Sequence, residues 1–412
     1  MKNEVTAKIY RAAVVGGGFS GLTATALLSE RFGGENVLLL ERNDRVGKKI
    51  LATGNGRCNL TNVVLSPGRY HSVLGADVGY ALGKYGNKSL IDYFRALGIL
   101  TAEEEGRIYP RSFQAGSVLD VLRAEVARRG AVTKTQTKVT EAVFREGVFR
   151  LRSDGGETFG ADALLLAVGG KAGKAYGTDG SSYGLALGFG HSVTPLSPAI
   201  VQLKTESRFC KGLKGIRQKG KAYACDGEKR LSSAEGDILF TDYGVSGNAV
   251  FVLSSYLVGA ERPSLEVDFL PEMQETEIVS FLKQKRRRFP EIPTEELLCG
   301  VVNKQIARML AVNFATDKKR EAETLARAAK RLVLPVTGTM GFDQAQVTRG
   351  GIPFSEFDPS TMESRRRRGL FFAGEVVDAD GDCGGYNLQW AYSSARCAVD
   401  GISAFLGGGE GR

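Results

Sequence analysis

The first forty residues alternate between short apolar runs and a glycine-rich turn. Residues 12–15 are continuously apolar and predict a buried strand, and Val37 to Leu40 predicts a second one. Between them, glycines precede a stretch from Ser20 to about Arg31 that predicts a helix. This order predicts a βαβ unit with parallel strands at the start of the chain.

Three further strands are predicted between residues 138 and 168. The segments KVTEAVF and GVFRLRS are separated by a turn at 146–147, and a second turn at 154–156 precedes ADALLLAV. The last segment is continuously apolar, which is typical of a strand that returns to a buried parallel sheet.

The middle of the chain changes character twice. Residues 197–270 keep a β-like pattern that is interrupted by one short helix at Gly247–Leu257. Three helices are then predicted, at about 275–287, 294–314 and 318–333. We interpret this middle part as an insertion into the domain that begins at the N-terminus.

The C-terminal part returns to strand and helix. Leu370 to Ala373 predicts a short strand, and apolar positions that recur from Leu388 to Phe405 predict a long helix. We therefore expect an α/β fold with a Rossmann-type domain split in sequence. The expected divisions are a Rossmann domain at 1–196 and 336–412, an inserted β domain at 197–271 and a three-helix domain at 272–335.

Composition and charge limit the class of protein. A chain of 412 residues with 42% hydrophobic and 25% charged residues is globular and long enough for two or three domains. The formal net charge is +9, and part of it lies in two basic runs at 285–288 and 365–368. No aromatic residue interleaves with these cations, so we interpret the runs as solvated surface and disfavour a nucleic-acid partner.

The six cysteines are scattered without any short-range pair. Neither a disulfide framework nor a metal site has the spacing that it requires, so no metal is expected. No apolar run approaches the ~20 residues that span a bilayer. Because the first apolar run ends in glycines, it does not resemble a secretion signal, and we expect a cytoplasmic protein.

The segment VVGGGFSGLTA carries a dinucleotide-binding fingerprint. Gly16, Gly18 and Gly21 occupy the G-x-G-x-x-G positions after the first strand, where they permit a tight turn, close approach to a pyrophosphate and close helix–strand packing. Glu41 ends the second strand 20 residues after Gly21. A carboxylate there binds the adenosine ribose hydroxyls and repels a 2′-phosphate, which favours FAD or NAD over NADP.

A polar loop after Glu41 favours FAD over NAD. The stretch RVGKKILATGNGRCNLTN places Lys48, Lys49 and Arg57 where they can offset phosphate or flavin charge. Near the C-terminus, a strand ends at Glu375, which can bind ribityl hydroxyls. The residues GGYNL at 384–388 then open a helix whose positive N-terminus can face the N1/O2 edge of a flavin.

Four motifs together carry a family resemblance: ATGNGRCN, AVGGKA, TRGGI and AGEVVDADGDCGGYNLQWA. With them the chain resembles the BaiN-type (YhiN-like) bacterial NAD(P)/FAD-dependent oxidoreductases, also labelled the aminoacetone oxidase family. The resemblance covers essentially the whole chain. It implies a glutathione-reductase-type FAD domain that is split in sequence, with inserted β-barrel-like and three-helix domains.

The resemblance also implies individual contacts to FAD. Carried over to this sequence, they fall at Gly18, Phe19, Ser20, Glu41, Lys49, Asn55, Val139, Gly374, Glu375, Asn387 and Leu388. Gly16, Gly21, Arg42 and Gly169 complete the predicted cofactor-binding set.

Two residues are candidates for chemistry beside the flavin. Arg57 could polarise a substrate carbonyl and Tyr386 could donate a proton, since both lie in loops that should line the cofactor. Cys58 has no second cysteine at redox spacing, so we interpret it as a packed thiol. His191 follows an apparent turn and is interpreted as structural.

Three functional hypotheses remain open. The first is an NADH- or NADPH-dependent reductase of an activated double bond in a small molecule, because some relatives resemble reductases of bile-acid or steroid enones. The second is a flavin oxidase of a small amine that produces peroxide, and the third is a nucleic-acid-binding flavoprotein. Only one dinucleotide fingerprint is visible, so we expect the nicotinamide to act as a transient reductant in the substrate cavity.

Overall fold

The computed structural model describes residues 8–315 and 317–407. The α-helices are α1 (Phe19–Phe32), α2 (Gly79–Lys84), α3 (Asn87–Ala96), α4 (Ala115–Arg128), α5 (Tyr183–Leu187), α6 (Asn248–Ser254), α7 (Glu275–Arg288), α8 (Lys304–Phe314), α9 (Glu321–Lys330) and α10 (Tyr386–Gly407). The β-strands are β1 (Ile9–Val15), β2 (Val37–Leu40), β3 (Thr61–Asn62), β4 (Tyr70–His71), β5 (Thr101–Glu104), β6 (Arg107–Pro110), β7 (Val132–Lys134), β8 (Val139–Arg145), β9 (Val148–Ser153), β10 (Thr158–Leu166), β11 (Ser197–Ala199), β12 (Leu203–Thr205), β13 (Arg217–Asp226), β14 (Lys229–Phe240), β15 (Gly244–Ser246), β16 (Pro263–Asp268), β17 (Leu332–Thr339), β18 (Val347–Arg349), β19 (Leu370–Phe372) and β20 (Asp380–Gly381).

The described residues form two compact units. The first unit runs up to residue 197 and resumes at 347, and the second unit comprises Pro198–Gln346. The sequence pattern placed the return to the first domain at residue 336. In the structure the return lies at residue 347, because β17, which includes residue 336, pairs with β12 and β16 of the second unit.

A parallel sheet forms the centre of the first unit. Strands β7, β2, β1 and β10 are neighbours in that order, and all three pairings are parallel. The other edge of β10 is shared by two strands. Its first half pairs antiparallel with β9, and Leu164 to Leu166 pair in parallel with β19 from the C-terminal part of the chain. Since β2, β19 and residues 161 and 163–166 of β10 are buried, their continuous apolar runs follow from burial on both faces.

The second unit contains a closed six-stranded barrel. The strands follow each other around it in the order β12, β15, β14, β13, β16 and β17. Helices α7, α8 and α9 share one apolar core with the barrel, so the sequence-based division into a β domain and a three-helix domain does not separate two cores.

The second of the three expected helices is shorter than the apolar stripe predicts. Only a 3-10 turn forms at Thr294–Glu296, and α8 begins at Lys304 after an Asn303 side chain that accepts a hydrogen bond from the Gln305 amide. The break follows from Gly300, whose φ of +87° no helix accommodates. Among the described residues, no helix is long and apolar enough to cross a membrane.

His191 lies in a buried network of the first unit. Its Nδ1 is 2.8 Å from Glu356 and its Nε2 is 2.7 Å from Ser364. Glu356 also accepts hydrogen bonds from the backbone amide and hydroxyl of Ser192 and from Arg366. Burial alone would raise the pKa of Glu356, but these donors outweigh it and lower the pKa to about 2.

We expect the Glu356→Gln variant to lose about 1.5–3 kcal/mol of unfolding free energy at neutral pH, because a buried charge-assisted network is broken. A lowered carboxyl pKa stabilises the fold above the unfolded value and loses this effect as pH falls. The difference between wild type and variant should therefore shrink between about pH 4.5 and pH 2. Urea unfolding at stepped pH measures it, and a difference that persists at the lowest pH would contradict the assignment.

Candidate cofactor and active site

The turn between β1 and α1 has the close packing that the glycine fingerprint requires. A Cβ built on Gly16, whose φ is +105°, would lie 2.3 Å from the Ala167 carbonyl oxygen. A Cβ on Gly21 would lie 1.8 Å from the Gly16 carbonyl oxygen, so α1 rests directly on the turn. Gly18 instead faces open space, with nothing within 4 Å of an added Cβ. The first amides of α1 therefore border a space that suits a pyrophosphate.

Glu41 is fixed at the end of β2 beside this turn. One carboxylate oxygen accepts the Gly17 amide at 2.7 Å, and the other accepts the Asn43 amide at 2.8 Å. The Glu41 carbonyl accepts the Thr137 amide at 2.9 Å, which brings the segment before Val139 to the same place. A buried carboxylate in this position can still accept ribose hydroxyls through its remaining lone pairs.

Lys49 and Glu375 connect two predicted parts of the site. Their side chains form an ion pair with an Nζ–Oε2 distance of 2.7 Å. The second oxygen of Glu375 accepts the Thr348 amide at 2.8 Å, and the Thr348 hydroxyl accepts the amides of Lys171 and Ala172. The loop after Glu41, the segment after β10 and the C-terminal strand thus meet at one point.

A buried hydroxyl without a hydrogen-bond partner lies within the electrostatic influence of Glu375. The Tyr183 hydroxyl has no hydrogen-bond partner among the described residues. Burial raises its pKa, and the charges of Glu375 and Asp378 raise it further. A buried donor of this kind fits a ligand with oxygen acceptors. Together with the open space at Gly18, it makes the residues present compatible with the ribityl and phosphate groups of FAD.

The start of α10 is held tightly. The Asn387 side chain brackets Gly381 by donating to its carbonyl at 2.8 Å and accepting its amide at 2.9 Å. A Cβ on Gly385 would lie 2.4 Å from the Thr61 carbonyl oxygen, so this glycine is needed for the approach of β3. Leu388 packs against the main apolar core. The amides of the first turn have no partner within the helix and create a positive site.

The remaining predicted contacts have varied surroundings. Ser20 and Phe19 are buried in the first turn of α1, and Ser20 lies next to Gly374. Arg42 does not face open space, because it forms an ion pair with Asp179 at 2.8 Å and donates to the Gly177 carbonyl. For three other predicted contacts the structure gives the backbone position. Val139 is the first residue of β8, and Gly169 has a φ of +72°. Asn55 has a φ of +54° and is exposed.

The structure pairs the Arg57 side chain with an acidic residue and two aromatic rings. Its guanidinium forms an ion pair with Glu104 at 2.5 Å and stacks over the rings of Tyr109 and Phe113 at 4.3 and 4.8 Å. The hydrogen bond to Glu104 raises the pKa of Arg57. Its charge therefore already has a partner within the protein, and carbonyl polarisation by Arg57 stays a prediction.

Tyr386 is also committed elsewhere. Its hydroxyl donates to the Val64 carbonyl at 3.0 Å, and only 5% of the residue is exposed. Burial raises its pKa. A proton donor needs a donor group directed at the substrate, so this hydrogen bond argues against Tyr386 in that role.

A histidine–aspartate pair close to α10 was missed in the sequence. His71 lies in β4, and its Nε2 is 2.7 Å from Oδ1 of Asp382. Asp382 is almost fully buried, whereas 16% of the His71 side chain is exposed. The alternating acids Asp378, Asp380 and Asp382 were a visible signal, since acids in an otherwise apolar segment require partners. Nothing in the sequence connected them with His71, because 311 positions separate the pair.

Arg107 is a second residue that sequence reasoning missed. Its guanidinium forms no hydrogen bond or ion pair within the described ranges. Glu104 lies opposite Arg107 in the pairing of β5 with β6, but the Glu104 carboxylate forms its ion pair with Arg57. Arg107 Nε would lie 3.9 Å from a Cβ built on Gly384. Burial raises the pKa of the Cys383 thiol, and the Arg107 charge opposes this shift. Arg107 therefore adds an uncompensated positive charge near the start of α10.

Two other chemical features are structural. Cys58 is buried, and desolvation raises its pKa to about 12, so the thiolate needed for redox chemistry does not form at neutral pH. In the basic run on α7, Lys285 donates to three backbone carbonyls and Arg286 pairs with Glu321. Half of this run therefore stabilises the fold.

Comparison with known proteins gives a family and relatives. The family model of the HI0933-like protein Rossmann domain matches residues 10–401. The chain is 38% identical over 403 residues to 3-dehydro-bile acid delta(4,6)-reductase from Clostridium scindens, which covers 94% of this chain and 98% of the relative. It is 30% identical over 404 residues to ribosomal RNA dihydrouridine synthase from Escherichia coli, which covers 96% of this chain and 98% of the relative.

Solved structures share the fold. A 3-ketosteroid-delta4-(5alpha)-dehydrogenase from Rhodococcus jostii, solved with 4-androstene-3,17-dione, has a TM-score of 0.53 at 15% identity, with 98% of this chain and 99% of that chain covered. The FrdA chain of Escherichia coli quinol fumarate reductase has a TM-score of 0.51 at 15% identity, with 98% and 72% covered. The predicted Rossmann-type α/β fold with a β-barrel-like insertion is confirmed.

Proposed function

Because the chain belongs to the HI0933-like Rossmann family and is an FAD-dependent oxidoreductase, we propose that it reduces a carbon–carbon double bond conjugated to a carbonyl. The substrate in this proposal is a small molecule of the enone class, such as a steroid or bile acid. NADH or NADPH supplies the electrons, and bound FAD supplies hydride transfer from its N5 position.

The names of two relatives carry the proposal. One relative is named a delta(4,6)-reductase of a 3-dehydro bile acid, and the other a synthase of dihydrouridine in ribosomal RNA. Dihydrouridine is uridine in which the ring C=C bond next to a carbonyl has been saturated. Both names therefore describe the saturation of a double bond that a carbonyl activates, although the two substrates differ in size and charge.

The residues of the first unit support a flavin at this place. Glu41 suits the adenosine ribose, the amides of α1 suit the pyrophosphate, and Glu375 with the Tyr183 hydroxyl suits the ribityl chain. The start of α10 and Arg107 add positive charge, which would stabilise the negative charge of a reduced flavin.

A uridine in RNA is the second candidate substrate. Two ribosomal RNA dihydrouridine synthases, from Escherichia coli and Haemophilus influenzae, are 30% and 29% identical to this chain over almost its whole length. We rank this candidate second because the bile-acid reductase is 38% identical. The internal pairing of Lys285 and Arg286 also reduces the charge available for phosphates.

Anaerobic half-reactions test the proposal. The purified yellow protein is mixed with NADH or NADPH, and bleaching of the flavin absorption band is followed. Separate samples of the bleached protein then receive 4-androstene-3,17-dione, an unmodified ribosomal RNA transcript, or oxygen. We expect the enone to restore the colour and to yield one saturated product per flavin, since an activated C=C accepts the hydride.

Each alternative has its own signature in this experiment. Reoxidation by the transcript alone, with dihydrouridine formed, would establish the second candidate in place of the first. Rapid reoxidation by oxygen with stoichiometric peroxide, and none by enone or RNA, would identify an oxidase and contradict both reductase proposals.

A further inference from the structure

Reduction of an activated double bond needs a proton as well as a hydride. The two residues best placed by the sequence are committed elsewhere, since Tyr386 donates to the Val64 carbonyl and Arg57 pairs with Glu104. The chain contains two histidines, and His191 is enclosed by Glu356 and Ser364. His71 is the histidine that retains some exposure, with 16% of its side chain accessible.

The fold places His71 next to the start of α10. Strand β4 pairs antiparallel with β20, and Asp380 lies opposite His71 in this register. The Asn387 side chain, in the first turn of α10, holds Gly381 through two hydrogen bonds. Asp382 follows directly, and its own amide donates to the Arg69 carbonyl at 2.9 Å. His71 and the proposed flavin-facing helix end are thus tied to the same short strand.

The partners of His71 fix the position of its ring. Asp382 Oδ1 is 2.7 Å from Nε2, and Arg69 contacts the other oxygen of this carboxylate at 3.3 Å. Asp380 is the second acid on the facing strand, and its charge is balanced by Arg349. A buried carboxylate that accepts the Nε2 proton orients the ring and stabilises the imidazolium.

We propose that His71 is the proton donor of the reduction and that Asp382 is its positioning residue. This inference rests on the proposed function. The β-carbon of the substrate receives the hydride, which carries two electrons, and the π bond breaks as the negative charge moves to the carbonyl oxygen. The α-carbon then takes a proton from the His71 imidazolium, whose ring Asp382 holds in place. Water restores the proton to His71, and the reduced nicotinamide restores the electrons.

Half-reactions of the complete FAD-loaded protein test this role. We expect His71→Gln to keep its FAD and its rate of bleaching by NADH or NADPH, because neither step needs the donor. Reoxidation by the enone should slow by about 10²–10⁴-fold, the usual contribution of a general acid. In wild type this rate should fall as pH rises, since the imidazolium is lost, and the fall should be absent in His71→Gln.

Two variants separate a chemical role from a structural one. Asp382→Asn should slow reoxidation less than His71→Gln, because the donor is still present and only the carboxylate that orients its ring is lost. Tyr70→Phe is a matched control, since Tyr70 precedes His71 in β4 and its hydroxyl contacts the Tyr386 carbonyl. It should keep the pH dependence of wild type, because it leaves His71 and Asp382 in place. If Asp382→Asn does not fold, the pH profile of His71→Gln still decides the assignment.

The outcomes distinguish this inference from the function on which it rests. If wild type reduces the substrate and His71→Gln does so at the same rate with the same pH dependence, His71 is not the donor and the proposed function stands. If reduced wild type is reoxidised by neither enone nor RNA, the proposed function fails and the inference fails with it.

Discussion

The Gly21→Ala variant is expected to be colourless after purification. A Cβ at this position would lie 1.8 Å from the Gly16 carbonyl oxygen, which belongs to the backbone of the phosphate turn and cannot rotate away. Helix α1 must therefore move away from β1, and its first amides move out of reach of the pyrophosphate. A loss of about 1.4 kcal/mol in binding free energy already weakens FAD binding tenfold, and overpacking costs about 1–3 kcal/mol of stability.

FAD content after purification and FAD titration of the apoprotein measure this effect. Gly116→Ala is the matched control, since Gly116 lies in helix α4 and an added Cβ there meets nothing within 4 Å. Alanine is the better helix former by up to about 1 kcal/mol, so the control should retain FAD and equal or exceed wild type in stability. Normal FAD affinity in Gly21→Ala would mean that this turn does not bind the pyrophosphate.

The Arg349→Met variant should show the largest loss of folding stability. Arg349 and Asp380 are both buried and form a bidentate pair, with an Nη2–Oδ2 distance of 3.0 Å. Removing one partner of a buried pair leaves an uncompensated charge and costs about 3–5 kcal/mol. Burial already raises the pKa of Asp380, and Arg349 opposes this shift. The variant should therefore recover stability as pH falls and Asp380 becomes protonated.

Denaturant unfolding of a double-mutant cycle isolates the pair. Arg349→Met with Asp380→Asn removes both charges and should restore most of the stability that either single variant loses, because the buried charge itself causes the loss. If the double variant is as unstable as the sum of the two single variants, the loss comes from packing, and the electrostatic explanation is wrong.

The sequence predicted those elements of the first unit whose signals are local, and it gave no prediction for the helices and strands between residues 61 and 134. The βαβ unit, the strand at 158–166 and helix α10 follow from apolar periodicity and glycine spacing, which tertiary contacts do not override here. The boundary at 336 was misplaced for a different reason. Strand β17 closes a barrel with partners more than 60 residues away, and a strand pattern does not reveal its partner.

Sequence motifs indicate only part of the candidate site, and its residues stay predictions. Glycines and carboxylates at fixed spacing indicated Gly16, Gly21, Glu41 and Glu375, because backbone approach and ribose binding restrict the residue type. The sequence could not reveal that Glu104 pairs with Arg57 and that Arg107 has no hydrogen bond or ion pair in the part of the chain that the structure describes. Which of the two arginines pairs with Glu104 depends on side-chain geometry around β5 and β6, and the periodicity of the sequence does not encode this geometry.

The position of β19 affects the order in which the protein can fold during synthesis. The second unit is complete in sequence once Gln346 has been added, so its barrel and helices can fold while translation continues. The parallel sheet of the first unit is complete only when Leu370–Phe372 pair with β10, and these residues are synthesised about 200 residues after β10. Until then, the edge of β10 at Leu164–Leu166 is an unpaired apolar strand edge, which is open to aggregation and to chaperones. The nascent chain thus completes its cofactor site only after the whole second unit has been synthesised.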